Sequence, residues 1–240
     1  MKKNKNVVRE FKRSVKKVRE VQNSLTSEDI LCIVAADPNT SGEFLDALSK
    51  NPDVGVRAIV ANNRYAPTEV LEYLSKDEDV KVRCCVASNP NTLGKALERL
   101  SKDKERDVKL GVAHNPSVSR NCLMLLSKQK DTSILIAVVC NFECSHSILR
   151  TIFGQSLKGA YDVHDTTRIQ SAIAFDSRTP LNILIQLSES KDFCARLNVI
   201  NNANCPVEIL TNLSKNDSMP RVRIMAQHRL EKRKAREKKK

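Results

Sequence analysis

Tryptophan is absent from this 240-residue chain, and the other aromatics amount to three Tyr and six Phe. So few rings leave little for base stacking, and six Gly make glycine-rich phosphate loops unexpected. Long apolar runs are missing too. The longest aliphatic stretch is Ile134 to Cys140, and no apolar segment follows the basic start, so neither a secretory signal nor a membrane span is expected. With eight Cys and no such signal, the chain is expected to be cytoplasmic with reduced thiols. Its 40% hydrophobic and 29% charged residues suffice for one packed domain or a repeat array.

The formal net charge of +13 suggests a nucleic-acid partner until it is divided along the chain. Residues 1–22 carry nine Lys/Arg against two Glu, and residues 221–240 carry ten against two. Residues 23–220 hold 22 basic and 24 acidic residues, so the excess sits at the two ends and the body is nearly neutral.

A period of 26 residues organises the body. Val34, Val60, Val86, Val112 and Val138 recur at that interval, and Ile173, Val199 and Met225 continue it after one spacing of 35. The next position is small in most units: Ala35, Ala61, Ala87, Ala113, Ala174 and Ala226. That column reads as a seam where neighbouring helices approach closely. Leucine-rich pairs such as Leu71/Leu74 and Leu97/Leu100 keep the same register. Each unit therefore reads as two short helices, giving about eight units and no sheet. Asn or Asp follows three residues after the anchor, as at Asp37, Asn63, Asn89, Asn115, Asn141, Asp176 and Asn202, and is expected to end the first helix through an αL or backbone-bonding turn. Thr40, Thr92 and Thr179 are predicted N-caps of the second helix, with Thr40 and Glu43 as a capping box. Pro67, Pro180 and Pro206 follow that cap position. Ser-Lys pairs such as Ser75-Lys76 read as solvated turns. The nine surplus residues read as one enlarged loop near 154–165.

The string VRCCVASNPNTLGKALERLSKD (Val82 to Asp103), echoed by VRAIVANNRYAPTEVLEYLSKD (Val56 to Asp77), resembles the leucine-rich repeat variant family, whose pattern is VRxxVAxNPxTPxxxLxxLxxD. The resemblance covers about 27 to 228, is strongest in units two to four, and implies a right-handed α-solenoid of paired helices, related in architecture to HEAT-like repeats. Some members of the family carry an N-terminal Cys-rich iron–sulfur segment. Residues 1–31 contain no Cys, so that cluster is not carried over. The expected organisation is a basic amphipathic capping helix over 1–26, the repeats over 27–228 and a basic, disordered or partly helical tail over 229–240.

Several residues invite a functional reading. Arg57, Arg83, Lys109 and Arg196 form a basic column, but Asp53, Asp79, Glu105 and Asp192 stand four residues before them, so stacked ion pairs are favoured over phosphate binding. Most Cys fall on packed columns. Cys140, Cys144 and His146, with His114 one unit earlier, offer metal-binding residue types at an unusual spacing, and no metal is assigned to them. Tyr161, His164 and Asp165 mark the enlarged loop as a candidate interaction site. Lys12, Arg13, Lys16 and Lys17 at one end, and Lys232, Arg233, Lys234 and Arg236 at the other, are candidate nucleic-acid contacts. Helical-repeat DNA glycosylases are the nearest enzymes by architecture, but a chain without Trp offers no obvious base-handling rings. No catalytic residue, cofactor or small-molecule substrate is expected. The favoured function is a non-catalytic scaffold for a protein partner, with a nucleic-acid-associated protein as the alternative.

Overall fold

The computed structural model describes Lys16 and residues 26–237. Among them, fifteen helices run from Ser27 to Glu237 and no strand is present, so the chain adopts the expected all-α helical-repeat fold. It divides into two compact units, Met1–Cys122 and Leu123–Lys240.

In the first unit, Ser27–Ala36, Val54–Asn62, Val80–Ser88 and Arg106–His114 are the first helices of successive repeats, and they stack on one another. Gly42–Leu48, Thr68–Leu74 and Gly94–Leu100 are the second helices. The anchor valines 34, 60, 86 and 112 are buried, and so are Ala35, Ala61, Ala87 and Ala113 beside them. The seam is tight: a Cβ added at Gly111 would lie 3.0 Å from the Ala87 Cβ. Burial of these columns, with Leu45, Leu71, Leu74, Leu97 and Leu100 beneath them, is the main stabilising term for helices too short to persist alone.

The second unit repeats the plan with Thr132–Cys140, Val163–Phe175, Phe193–Asn201 and Pro220–Glu237 as first helices. Its second helices are His146–Leu157, Leu181–Ser188 and Val207–Asn216. The nine surplus residues do not enlarge a loop. His146–Leu157 has 12 residues where Thr68–Leu74 has 7, and Val163–Phe175 has 13 where Val80–Ser88 has 9. The two extensions account for the whole surplus, and the linker 158–162 keeps the five-residue length of 75–79. Apolar positions Ile148, Leu149, Ile152 and Phe153 continue the helical spacing, and each is buried. Register slips once more at the end. Ala226 and Val222 are fully buried while Met225 is 36% exposed, so the last anchor is Ala226 rather than Met225.

The caps also differ from expectation. Thr40, Thr92 and Thr179 do not cap the second helices. Their hydroxyls donate to the carbonyls of Val34, Val86 and Ile173 at 2.5, 2.6 and 2.5 Å, closing the first helix instead. The N-cap lies one residue later, at Ser41, Leu93 and Pro180, and Pro67 and Pro206 are themselves N-caps without a side-chain bond. The capping box forms at Thr26 and Asp29 rather than at Thr40 and Glu43. Ser49, Ser75, Ser101 and Ser127 are buried, each donating to the carbonyl three residues before it, so only the Lys of each Ser-Lys pair is solvated.

Candidate functional site

The three arginines of the basic column are structural, but not through the acids four residues earlier. Arg57 meets Asp77 through Nε and Nη2 at 2.7 and 3.0 Å, and its Nη1 donates to the carbonyls of Asn51 and Pro52. Arg83 treats Asp103, and Arg196 treats Asp217, in the same way. Each acid lies at the start of the next repeat, 20 or 21 residues on, and also accepts the N–H two residues after itself. Burial raises the carboxyls of Asp77, Asp103 and Asp217, but the arginine and backbone donors outweigh it and hold all three below their ordinary range. Asp53, Asp79 and Asp192 are N-caps, accepting from Val56, Lys81 and Cys194. These buried arginines are therefore occupied and offer nothing to a phosphate.

The Asn column forms a second clamp. Asn89 Nδ2 donates to the carbonyls of Ala61 and Asn63 in the preceding repeat at 2.7 and 2.9 Å, while its Oδ1 accepts the Asn91 N–H. Asn63, Asn115 and Asn202 repeat the arrangement. No described non-glycine residue has a positive φ, so the turn is extended rather than αL. Asp176 has no amide to donate, and there the Arg178 guanidinium substitutes. It pairs with Asp176 and donates to the carbonyls of Val139, Asn141 and Phe142 at 2.7, 2.6 and 2.7 Å.

With these polar columns occupied, the surface of the first unit has two unlike faces. Cys32, Ile33, Ala58, Ile59, Cys84, Cys85 and Leu110 occupy two adjacent columns of the first helices, all half-buried or exposed and none charged. The second helices present ion pairs instead: Asp46 with Lys50, Glu98 with Lys102, and Glu72 with Arg99.

The surplus segment gathers chemistry of its own. Asp162, His164 and Asp165 are, among the described residues, the only group of three or more His, Cys, Asp or Glu with ligand atoms within 4.8 Å of one another. They are helix-start residues rather than parts of an irregular loop. Asp162 caps the Asp165 N–H, and Asp165 lies 3.4 Å from Arg168. Tyr161 stands in the preceding turn, its hydroxyl donating to Gln155 at 2.9 Å. Cys140, Cys144 and His146 do not form such a group, and the His114 ring lies against the Leu110 carbonyl. Burial pushes the Cys144 thiol up to about 12 and the Cys205 thiol up to about 11, which suits packing rather than nucleophilic work.

Of the basic termini, Lys12, Arg13 and Lys17 lie outside the described residues, and Lys16 is exposed and helical. The C-terminal basic run is not a separate tail as far as Glu237, because it continues the helix that begins at Pro220. Lys232, Arg233 and Arg236, joined by Arg229, line a cleft of about 410 Å³ facing residues 203–206. Lys234 is exposed outside that lining. Arg229 was not singled out by composition. Its signal is the spacing 229, 232, 233, 236, which places four cations on one helical face.

No family model matches the chain, and no curated protein matches it. Among the described residues, no helix is long and apolar enough to cross a membrane.

Proposed function

We propose that this protein is a non-catalytic helical-repeat scaffold of the leucine-rich repeat variant type that binds a protein partner. The uncharged face of the first helices in the first unit carries this reading. It joins apolar and sulfur side chains across four repeats, with Lys81, Asp107 and Asn62 at its margins, which is the anatomy of an interface core with a polar rim. The resemblance is supported by what its columns do. In VRCCVASN, Val82, Val86 and Ala87 are buried, Arg83 clamps Asp103, and Asn89 clamps the preceding repeat. The test is affinity purification with nuclease present, comparing the native chain with an Ile33→Glu/Ile59→Glu/Leu110→Glu variant of unchanged helicity. A nuclease-resistant partner lost by the variant supports the reading. Recovery that is nuclease-sensitive, or unaffected by the variant, sinks it.

A nucleic-acid partner is the second reading, and a different region favours it. Lys232, Lys234 and Arg236 are exposed and have no acidic partner among the described residues, in contrast to Arg57, Arg83 and Arg196.

A further inference from the structure

Arg229 stands three residues after the buried anchor Ala226, the position that Asn63, Asn89, Asn115 and Asn202 occupy in their repeats. Those asparagines end the first helix and clamp the repeat before. At Arg229 the helix runs on to Glu237, and the side chains that follow lie over the 203–206 turn. The corresponding turn at Ser177 is met by Asn204, whose Nδ2 donates to the Ser177 carbonyl at 2.8 Å. At 203–206 a single guanidinium makes the equivalent contact, Arg233 Nη2 to the Ala203 carbonyl at 3.1 Å.

The other cations of the cleft have no such employment. Arg229 Nε is buried without a hydrogen-bond acceptor, and Arg229, Lys232 and Arg236 form no ion pair among the described residues. No Asp or Glu lines the cleft. Glu231 points its carboxylate to Gln227 Nε2 at 3.0 Å. A buried donor without an acceptor, beside three further cations, is a local excess of charge and hydrogen-bonding capacity that an anion would satisfy. The stripe spans eight residues of helix, a rise of about 10 Å, more than one phosphate group covers. No aromatic side chain lines the cleft, so bases are not stacked there and the contact is with backbone phosphates.

We propose that this cleft binds the phosphodiester backbone of a single-stranded nucleic acid, with Arg229, Lys232 and Arg236 contacting phosphates and Arg233 holding the helix over the turn. The proposal deepens the nucleic-acid reading and is independent of the face offered for a protein partner. The cleft lies between a helix and a turn and holds only about 410 Å³, which suits the backbone of one strand better than a duplex.

The experiment titrates the full chain with a fluorescent 12-nucleotide single-stranded RNA, a duplex of equal length, and inorganic phosphate, at several salt concentrations. The variants are Arg229→Gln/Lys232→Gln/Arg236→Gln and, because Lys232 and Arg236 are exposed and safe for folding, Lys232→Glu/Arg236→Glu. A Lys50→Gln/Lys76→Gln/Lys102→Gln control removes the same charge from the first unit. The strand should bind more tightly than the duplex or phosphate. Both cleft variants should lose at least tenfold in affinity with helicity intact, and the control should lose little. The slope of log affinity against log salt should fall by roughly 2 for the triple variant, since each single-strand contact contributes about 0.7. Strand binding that persists in both cleft variants places the contact elsewhere and overturns the cleft, leaving the wider nucleic-acid reading standing. No binding of strand or duplex by the native chain overturns both. Equal loss in the control, or a preference for the duplex or for free phosphate, also overturns the assignment.

Discussion

Arginine does opposite things in the interior repeats and in the last helix. Arg57, Arg83 and Arg196 are 8–9% exposed and hydrogen-bonded to a carboxylate and two carbonyls apiece, so each joins two repeats and none faces a ligand. Arg229, Lys232 and Arg236 carry the same charge on a helix that leaves them without acids. A positive column is therefore a poor guide to nucleic-acid binding unless its acids are located first. The acids that matter lie a repeat away.

Acid should break the comparison most strongly, because it acts on the three interior clamps at once. The folded carboxyls of Asp77, Asp103 and Asp217 lie below their unfolded values. A depressed carboxyl contributes its full stability above the unfolded value, near 4, and loses it as pH falls through the lower folded value. Denaturant midpoints should therefore be level above about pH 5 and drop below about pH 4. A midpoint that stays level down to pH 2.5 would show that the clamps contribute little.

Single clamps come next. Asp103→Ala leaves Arg83 buried without its carboxylate and should cost about 3–5 kcal/mol in equilibrium unfolding. Arg83→Ala on top of it should add much less than it does alone, since the two share one interaction. Asp79→Ala removes only a helix cap, costs about 1 kcal/mol, and should add independently to Arg83→Ala. The reverse pattern of couplings would return the arginine to its i−4 acid.

Asn89→Asp sharpens the second clamp. It withdraws the donor from the Ala61 and Asn63 carbonyls and sets a carboxylate against them, for roughly 2–3 kcal/mol at neutral pH. Here the sign is opposite to that of the native aspartates. Burial beside carbonyls raises the new carboxyl, so the deficit is largest above its folded value and shrinks as pH falls and the acid regains a proton to donate. Asp176 escapes this penalty because Arg178 supplies the donors. A stability loss for Asn89→Asp that does not shrink toward low pH would count against the account.

The period, the anchor and the small-residue seam were legible because they recur as apolar types at one interval, and burial follows type. The polar columns were legible as columns but not as contacts. An acid four residues earlier suggested a partner for Arg83, and Asn89 read as a local turn residue, whereas their partners lie 20, 26 or 28 residues away, across a repeat boundary. One signal was present and would have found the first of them: Lys109 replaces Arg in the unit where Gln129 replaces the acid 20 residues on. The surplus segment was misread because its Gly and polar residues suggested a loop, although Ile152, Phe153 and Ile169 keep helical spacing. The terminal cations were found by charge, but the cleft depends on Arg229, whose employment could not be known until the helix was seen to continue past it.

The smallest expected effect is on the stability of the last helix itself. Arg229, Lys232, Arg233 and Arg236 make four like-charge pairs at spacings of three and four, and Lys232→Gln with Arg236→Gln removes three of them. Each such pair costs an exposed helix about 0.2–0.5 kcal/mol, or about 0.6–1.5 for three, and losing two cations near the helix C-terminus offsets part of that, so the double variant should be stabilised by a few tenths to about 1 kcal/mol. The gain should vanish in 1 M salt, where the screening length falls to about 3 Å. Thermal unfolding at low and high salt measures both. A loss exceeding about 1 kcal/mol would mean that these cations hold the fold together as the interior arginines do. A small gain, coupled to weaker strand binding by the same variant, would show that the last helix keeps its repulsion for the sake of a ligand.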